Sequence, residues 1–365
     1  MSDAQGTSMN SAIRDGPGIG REAGDWARAI GHTALAATLY EVAASPKPGL
    51  VDPVSSGAHQ DMDYFTFLTS AAALAPYFIE FARIGAERDV AARTPRAALL
   101  PTLRRVGVEA ERAMFAATAG ANTHKGLIFS MGLLCVAAGS LVGEERESRE
   151  TANAAIQRSV IAESALPSLR AFSAETCARA AADIVAGICA RELAPLAEGN
   201  PTPHGATSSS RAAPRDPGCG APPRAPLTSG ESLFIRYGVR GIRGEAEAGF
   251  PSVIGRALPR LRADLVAGAT YNAAMVDALL ELCLCVDDTT VLNRAGMEGL
   301  EYVRAQASQA LERGGMLSAR GKTYIRELDA DFSARGLSPG GCADLLAVTV
   351  FLDKLPAALA RERRE

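Results

Sequence analysis

Apolar residues recur along most of this chain at intervals of three and four, the spacing that stacks side chains on one face of a helix. On that spacing residues 23–44, 64–87, 96–119, 125–142, 148–166 and 174–196 read as helices in the first half. Residues 232–237, 251–266, 271–286, 296–313, 318–335 and 339–361 follow in the second. The stretch 96–119 illustrates the pattern, with charges on one face and Val106, Ala110 and Ala113 on another. Period-two alternation and clustered Val, Ile, Thr and Tyr closed by hairpin turns are missing, so the fold class is all-α, a multi-helix bundle.

One run, 126–143, carries no charge and reaches the lower length limit for a membrane span. It contains four glycines and two serines, and no second run of that length accompanies it. A helix apolar all round suits a protein core as well as a bilayer, and the reading here is a buried core helix and no membrane.

Polar sequence is concentrated where these helices begin. Residues 46–52 and 57–63 set Lys47, His59, Asp52, Asp61 and Asp63 on backbone rich in proline and glycine, directly before the helix at Tyr64. Asn122, Thr123, His124 and Lys125 stand before the apolar run, and an arginine-rich turn with Arg240, Arg243 and Glu245 leads toward the helix at Pro251. Ser338 as N-cap and Pro339 at the first helical position open the last helix. A helix N-terminus offers free N–H groups and a partial positive charge, and so attracts anions. Four such termini converging on one polar pocket would combine backbone donors, basic side chains and carboxylates able to hold magnesium, the chemistry of a nucleoside polyphosphate. Plainer roles exist for the same residues. Asp63 can simply cap a helix. Arg240 and Arg243 can pair with Glu245 and Glu247 on the surface. His124 with Lys125, and Asp287-Asp288 with Arg294, can be ordinary turns.

Composition removes several function classes. The 365 residues are 47% hydrophobic and 22% charged, enough to bury a large core. With 38 basic against 41 acidic residues and a net charge of −3, there is no basic excess for a nucleic-acid surface. Seven cysteines, an odd number without paired spacing, imply reduced thiols in a cytoplasmic protein. Cys283 and Cys285 point to different faces of a helix, so zinc is not expected, and any metal should be Mg²⁺ on carboxylates. Residues 1–22 read as a disordered leader without the apolar stretch of a secretory signal. Residues 198–231, dense in Pro, Gly, Ser and Arg, read as a disordered insertion within a single helical domain spanning 23–361. His204 and Cys219 fall in that insertion and are not expected to be catalytic. Gly315 to Thr323 imitates a phosphate-binding loop but has one residue too many between its glycines and follows no strand. Gly16 to Gly20 likewise lacks the βαβ unit of a dinucleotide site.

Five stretches in order, EVAASPKPGLVDPVSSGAHQDMDYFTF, ANTHKGLIFSMGLL, RYGVRGIRGEAEAGFPSV, DDTTVLNRAG and SPGGCADLLAVTVFL, resemble the triphosphoribosyl-dephospho-CoA synthase family. The resemblance runs roughly from Ala34 to Leu355, outside the Pro-rich insertion. It implies a transferase that takes ATP and 3′-dephospho-CoA, releases adenine, and joins the triphosphoribosyl group to the ribose 2′-hydroxyl. It also implies that the product is the prosthetic-group precursor for the acyl carrier subunit of malonate decarboxylase or citrate lyase. On residue chemistry within that frame, Lys47, Asn122, Lys125, Arg240, Arg243 and Arg294 are assigned to phosphates, and Asp52, Asp61 and Glu245 to Mg²⁺ or sugar charge. His59 or Asp63 is the candidate general base, and His124 contacts the leaving group or a phosphate. The insertion is longer than the family leads one to expect, and Thr290 and Ala295 stand where Asn and Gly are expected. A magnesium-dependent N-glycosidase or phosphohydrolase, and a non-catalytic scaffold binding an acyl carrier, are the alternatives from other classes.

Overall fold

Side-chain caps and left-handed glycines set several of the helix boundaries. The computed structural model describes residues 19–158, 172–198 and 227–362, and every regular element among them is helical. The order is α1 (Ile19–Ala43), α2 (Tyr64–Ala86), α3 (Leu100–Ala117), α4 (Lys125–Arg158), α5 (Ala174–Val185), α6 (Ile188–Glu192) and α7 (Ala194–Glu198). It continues with α8 (Ser229–Tyr237), α9 (Gly241–Glu247), α10 (Leu258–Val266), α11 (Tyr271–Cys285), α12 (Thr289–Glu312), α13 (Ala319–Ala334) and α14 (Gly340–Glu362). At the start of α2 the Asp63 side chain accepts from the Thr66 N–H while the Thr66 hydroxyl answers the Asp63 N–H, a reciprocal capping box. Ser173 with Thr176, and Thr228 with Glu231, do the same for α5 and α8.

The core is organised by α1, α2, α4 and α14. Helix α1 packs most extensively on α2 and α14, and α2 on α4. Small residues allow the close approach of α2 and α4. A methyl at Gly139 would lie 2.0 Å from the Ala82 carbonyl oxygen, and one at Gly85 2.0 Å from that of Val136. Gly139 and Gly143 of the uncharged run are therefore contact points where two helix backbones touch, while Gly132 makes room for the Phe81 ring. Both α2 and the first part of α4 are long and apolar enough to cross a membrane, but 83% of the α4 window is buried inside the protein, as expected of a core helix.

Several boundaries differ from the sequence reading for identifiable reasons. Helix α1 reaches back to Ile19, into the expected leader, whose residues 1–18 lie outside the described residues. The expected helix at 148–166 is, as far as 158, the continuation of α4. The expected helix at 174–196 breaks at Gly187, whose φ of 75° only glycine adopts freely, giving α5, α6 and α7. Of the expected insertion, 199–226, including His204 and Cys219, lie outside the described residues, and α8 already begins at Ser229. Arg240 to Glu245, expected as a turn, belongs largely to the short helix α9. Helix α12 begins seven residues earlier than the pattern suggests, at Thr289, and leaves helical backbone at Gly296, with φ 64° and ψ −162°.

Candidate functional site

Residues from α1, the loop before α2 and the first turns of α4, α9, α12 and α14 line a cavity of about 1290 Å³. That exceeds the ~300–1,000 Å³ of a pocket for one drug-sized ligand, so there is room for two extended substrates.

Its deepest ionic feature is a buried pair. Lys47, 1% exposed, reaches from the loop to Glu41 on α1. Burial raises the Glu41 carboxyl pKa, and the ammonium of Lys47 opposes that rise. Asp344, in the first turns of α14, faces the same space, and burial together with the charges of Glu41 and Asp288 pushes its carboxyl well above the usual range. Asp288 caps α12 through the N–H groups of Thr290 and Val291, and also accepts from the Cys342 N–H at 2.8 Å. It too is buried and shifted upward, chiefly by desolvation.

Two histidines stand in the wall. His124, 2% exposed, meets the Ser70 hydroxyl through Nδ1 at 2.7 Å, and Ser70 in turn accepts from Thr123 at 2.7 Å. Ser70 Oγ keeps a second lone pair after accepting from Thr123, so it can give its proton to Nδ1 or take one from it, and Nε2 is correspondingly a donor or an acceptor. Nε2 is buried without a partner. Desolvation, then Lys47, lowers this imidazole to about 3, so it stays neutral and offers one uncommitted ring nitrogen. His59 is engaged on both sides. Its Nε2 lies 2.9 Å from Ser338 Oγ, and its Nδ1 lies 3.3 Å from Arg294 and 3.7 Å from Asp61. Burial and Arg294 lower its pKa, while Asp61 works the other way. Since Arg294 can only donate, Nδ1 accepts and Nε2 donates to Ser338, so in this arrangement His59 positions its neighbours and presents no free base.

The rest of the lining sets bases beside acids. Lys125 pairs with Glu111 at 3.1 Å, Arg243 with Glu192 at 3.1 Å, and Arg104 with the same Glu192. Arg240 is exposed in the lining and makes no ion pair among the described residues. Arg294 also donates to the Ala58 carbonyl at 3.1 Å. Exposed Asn122 completes this side. Glu245, half-buried, accepts from the N–H and hydroxyl of Ser252, and desolvation raises its pKa against those bonds.

The structure thus brings Lys47, His59, Asp61, Asn122, His124, Lys125, Arg240, Arg243, Glu245 and Arg294 around one cavity. It leaves two sequence-nominated residues out of the lining. Asp52 is 2% exposed, and its carboxylate accepts from the N–H groups of Val54 and Ser55 at 2.8 Å and of Lys47 at 3.3 Å, so it holds the loop together. Asp63 is an exposed helix cap whose bonds to Thr66 lower its pKa. Asp52, Asp61 and Glu245 accordingly do not form one metal cage, and no group of three or more His, Cys, Asp or Glu ready to hold a metal occurs among the described residues. Sequence reasoning missed Glu41, Asp344 and Arg104. Glu41 looks like an ordinary helical charge and Asp344 like an isolated acid in an apolar helix, and only the packing of α1 on α14 gives them a common space.

A family model described as ATP:dephospho-CoA triphosphoribosyl transferase matches residues 27–363. A Vibrio cholerae serotype O1 protein named "Probable 2-(5''-triphosphoribosyl)-3'-dephosphocoenzyme-A synthase" is 38% identical, over 90% of this chain and 88% of its own. A Klebsiella pneumoniae protein named "2-(5''-triphosphoribosyl)-3'-dephosphocoenzyme-A synthase" is 37% identical over 88% of this chain and 89% of its own. A Lactiplantibacillus plantarum relative is 36% identical over 87% and 94%. No solved structure matches with significance.

Proposed function

The chain belongs to the ATP:dephospho-CoA triphosphoribosyl transferase family and is an enzyme, and from that premise we propose how its cavity performs the transfer. The reaction moves the triphosphoribosyl group of ATP onto the ribose 2′-hydroxyl of 3′-dephospho-CoA and releases adenine. The observation that carries this reading is one cavity with room for two nucleotides whose wall holds both cations and carboxyls. Arg240, Lys125, Arg243 and Arg294 line it, together with the buried Lys47–Glu41 pair and the Asp344 carboxyl.

The basic side chains suit the triphosphate and the phosphates of the acceptor, as charge-assisted bonds that fix position. Magnesium enters as part of the nucleotide. It takes most of its oxygens from phosphate and water and needs only one or two protein carboxylates, which agrees with the lack of a three-carboxylate cage. Asp61 and Glu245 line the cavity and can serve; Asp52, with its oxygens bonded to backbone, cannot. The His124 Nε2, buried and unpartnered, is left for a phosphate or base of the substrate. When the bond from ribose to adenine lengthens, positive charge grows on the sugar, and the Glu41 carboxylate faces the space where it develops.

The product would serve as prosthetic-group precursor for the acyl carrier subunit of malonate decarboxylase or citrate lyase, in the cytoplasm where both substrates occur. The test is incubation of the protein with Mg–ATP and dephospho-CoA, followed by mass analysis. Free adenine and the coupled product in equal amounts support the reading. Adenine release that needs no dephospho-CoA would make the protein a hydrolase and overturn it.

A further inference from the structure

Departing adenine needs a proton, and neither histidine in the wall can supply one: His124 is held neutral and both nitrogens of His59 are engaged. One carboxyl has the right surroundings. Asp344 lies in the cavity wall against the first turn of α4, where glycine at 126 makes the space, since a methyl there would sit 2.2 Å from Asp344 Oδ2. Among the described residues nothing donates a hydrogen bond to this carboxyl or pairs with it, whereas the neighbouring carboxyls do have partners. Lys47 answers Glu41, and three backbone N–H groups answer Asp288. Two residues before Gly126, the unpartnered Nε2 of buried His124 belongs to a residue of the same wall and independently marks this end of the cavity as built for a ligand.

We propose that Asp344 is the catalytic acid that protonates the departing adenine. The proposal rests on the transferase reading above. The bond between ribose C1′ and adenine N9 breaks with its electron pair going to adenine, which takes the Asp344 proton. The C1′–O2′ bond forms from a lone pair of the dephospho-CoA hydroxyl, whose proton passes to water, and Asp344 regains a proton from solvent before the next turnover. Desolvation and two nearby carboxyls favour the protonated form that this task needs, the device of other enzymes that run acid catalysis near neutrality.

The experiment compares full-length wild type with D344N and D344E, using circular dichroism and thermal midpoint to confirm folding. D344N should lower kcat for adenine release by about 10²–10⁴-fold, with the KM for ATP little changed, and D344E should recover part of it. Wild-type kcat should fall as pH rises through the Asp344 pKa, and D344N should lack that limb. An ATP analogue whose base is a more acidic leaving group should shrink the ratio of wild type to variant toward one. A D344N defect that is the same for every base and is relieved by more Mg²⁺ would make Asp344 a metal ligand and overturn the proposal, as would a wild-type profile flat on its alkaline side. Wild type that forms no coupled product takes down the transferase reading itself. Active wild type with D344N within ~3-fold of it takes down this proposal alone.

Discussion

Replacing Asp52 separates a side chain that builds the site from one that acts in it. Oδ1 of Asp52 accepts two backbone N–H groups at 2.8 Å, from Val54 and Ser55, and Oδ2 accepts the Lys47 N–H at 3.3 Å. A hydrogen bond to a charged group contributes about 1.5–3 kcal/mol, less where the freed N–H can turn to water, as at Val54, which is 86% exposed. Asp52→Ala should therefore destabilise the protein by about 3 kcal/mol. Asp52→Asn keeps an oxygen at the Oδ1 position and loses mainly the long bond and the charge, so about 1 kcal/mol is expected. At roughly 2.1 cal/mol/K of unfolding entropy per residue, a 365-residue chain shifts by about 1.3 °C per kcal/mol, so the alanine variant should melt about 4 °C lower and the asparagine variant about 1 °C lower. Because the loop carries Lys47, loosening it should also slow turnover, by up to ~10²-fold in the alanine variant, with asparagine retaining most activity. Thermal melting and steady-state adenine release on the same samples test this. If both variants lost turnover equally while melting like wild type, Asp52 would have to act on substrate or metal, and the structural account would be wrong.

Gly139→Ala drives a methyl to 2.0 Å from the Ala82 carbonyl and should destabilise by about 3 kcal/mol or more, whereas Gly107→Ala, with nothing within 4 Å, should stabilise by about 0.5–1 kcal/mol; paired denaturation curves decide. Glu41→Gln leaves Lys47 buried without its partner and should lower stability by about 3–5 kcal/mol, and adding Lys47→Met should restore much of it if the pair is the cause. His124 has a folded pKa of about 3 against about 6.5 unfolded, so the unfolded chain takes up the proton first and stability falls as pH drops below about 6.5, by about 2 kcal/mol at pH 5. Denaturation at pH 7 and pH 5 should show this difference shrinking in His124→Phe, and an unchanged difference would mean that other groups carry it.

The helices were legible because their signals are local. Period-3.6 patterning and caps such as Asp63 place the start of α2 to the residue, and α11 and α14 to within one. Where glycine obscures propensity, the reading failed: α9 contains Gly241 and Gly244, and Gly296 interrupts α12, so α9 and the part of α12 before Gly296 looked like turns. The basic side chains of the site were legible because arginine and lysine beside glycine-rich turns are conspicuous. Glu41 and Asp344 were not, because they are 303 positions apart in the numbering and nothing in either helix reports its neighbour. Asp52 and Asp63 misled for the opposite reason. Carboxylates in loops serve backbone N–H groups as readily as substrates, and residue type alone does not tell which.

Asp288 holds the N–H groups of α12 with one oxygen and that of Cys342 in α14 with the other. A single carboxylate is thus a shared hinge pin for two walls of the cavity, and neither helix can slide or turn without breaking the other's anchor. Arg294 is on one of these helices and Asp344 on the other. The walls that carry Arg294 and Asp344 are consequently held in phase before any substrate arrives, so ligand binding does not have to supply the free energy of aligning them.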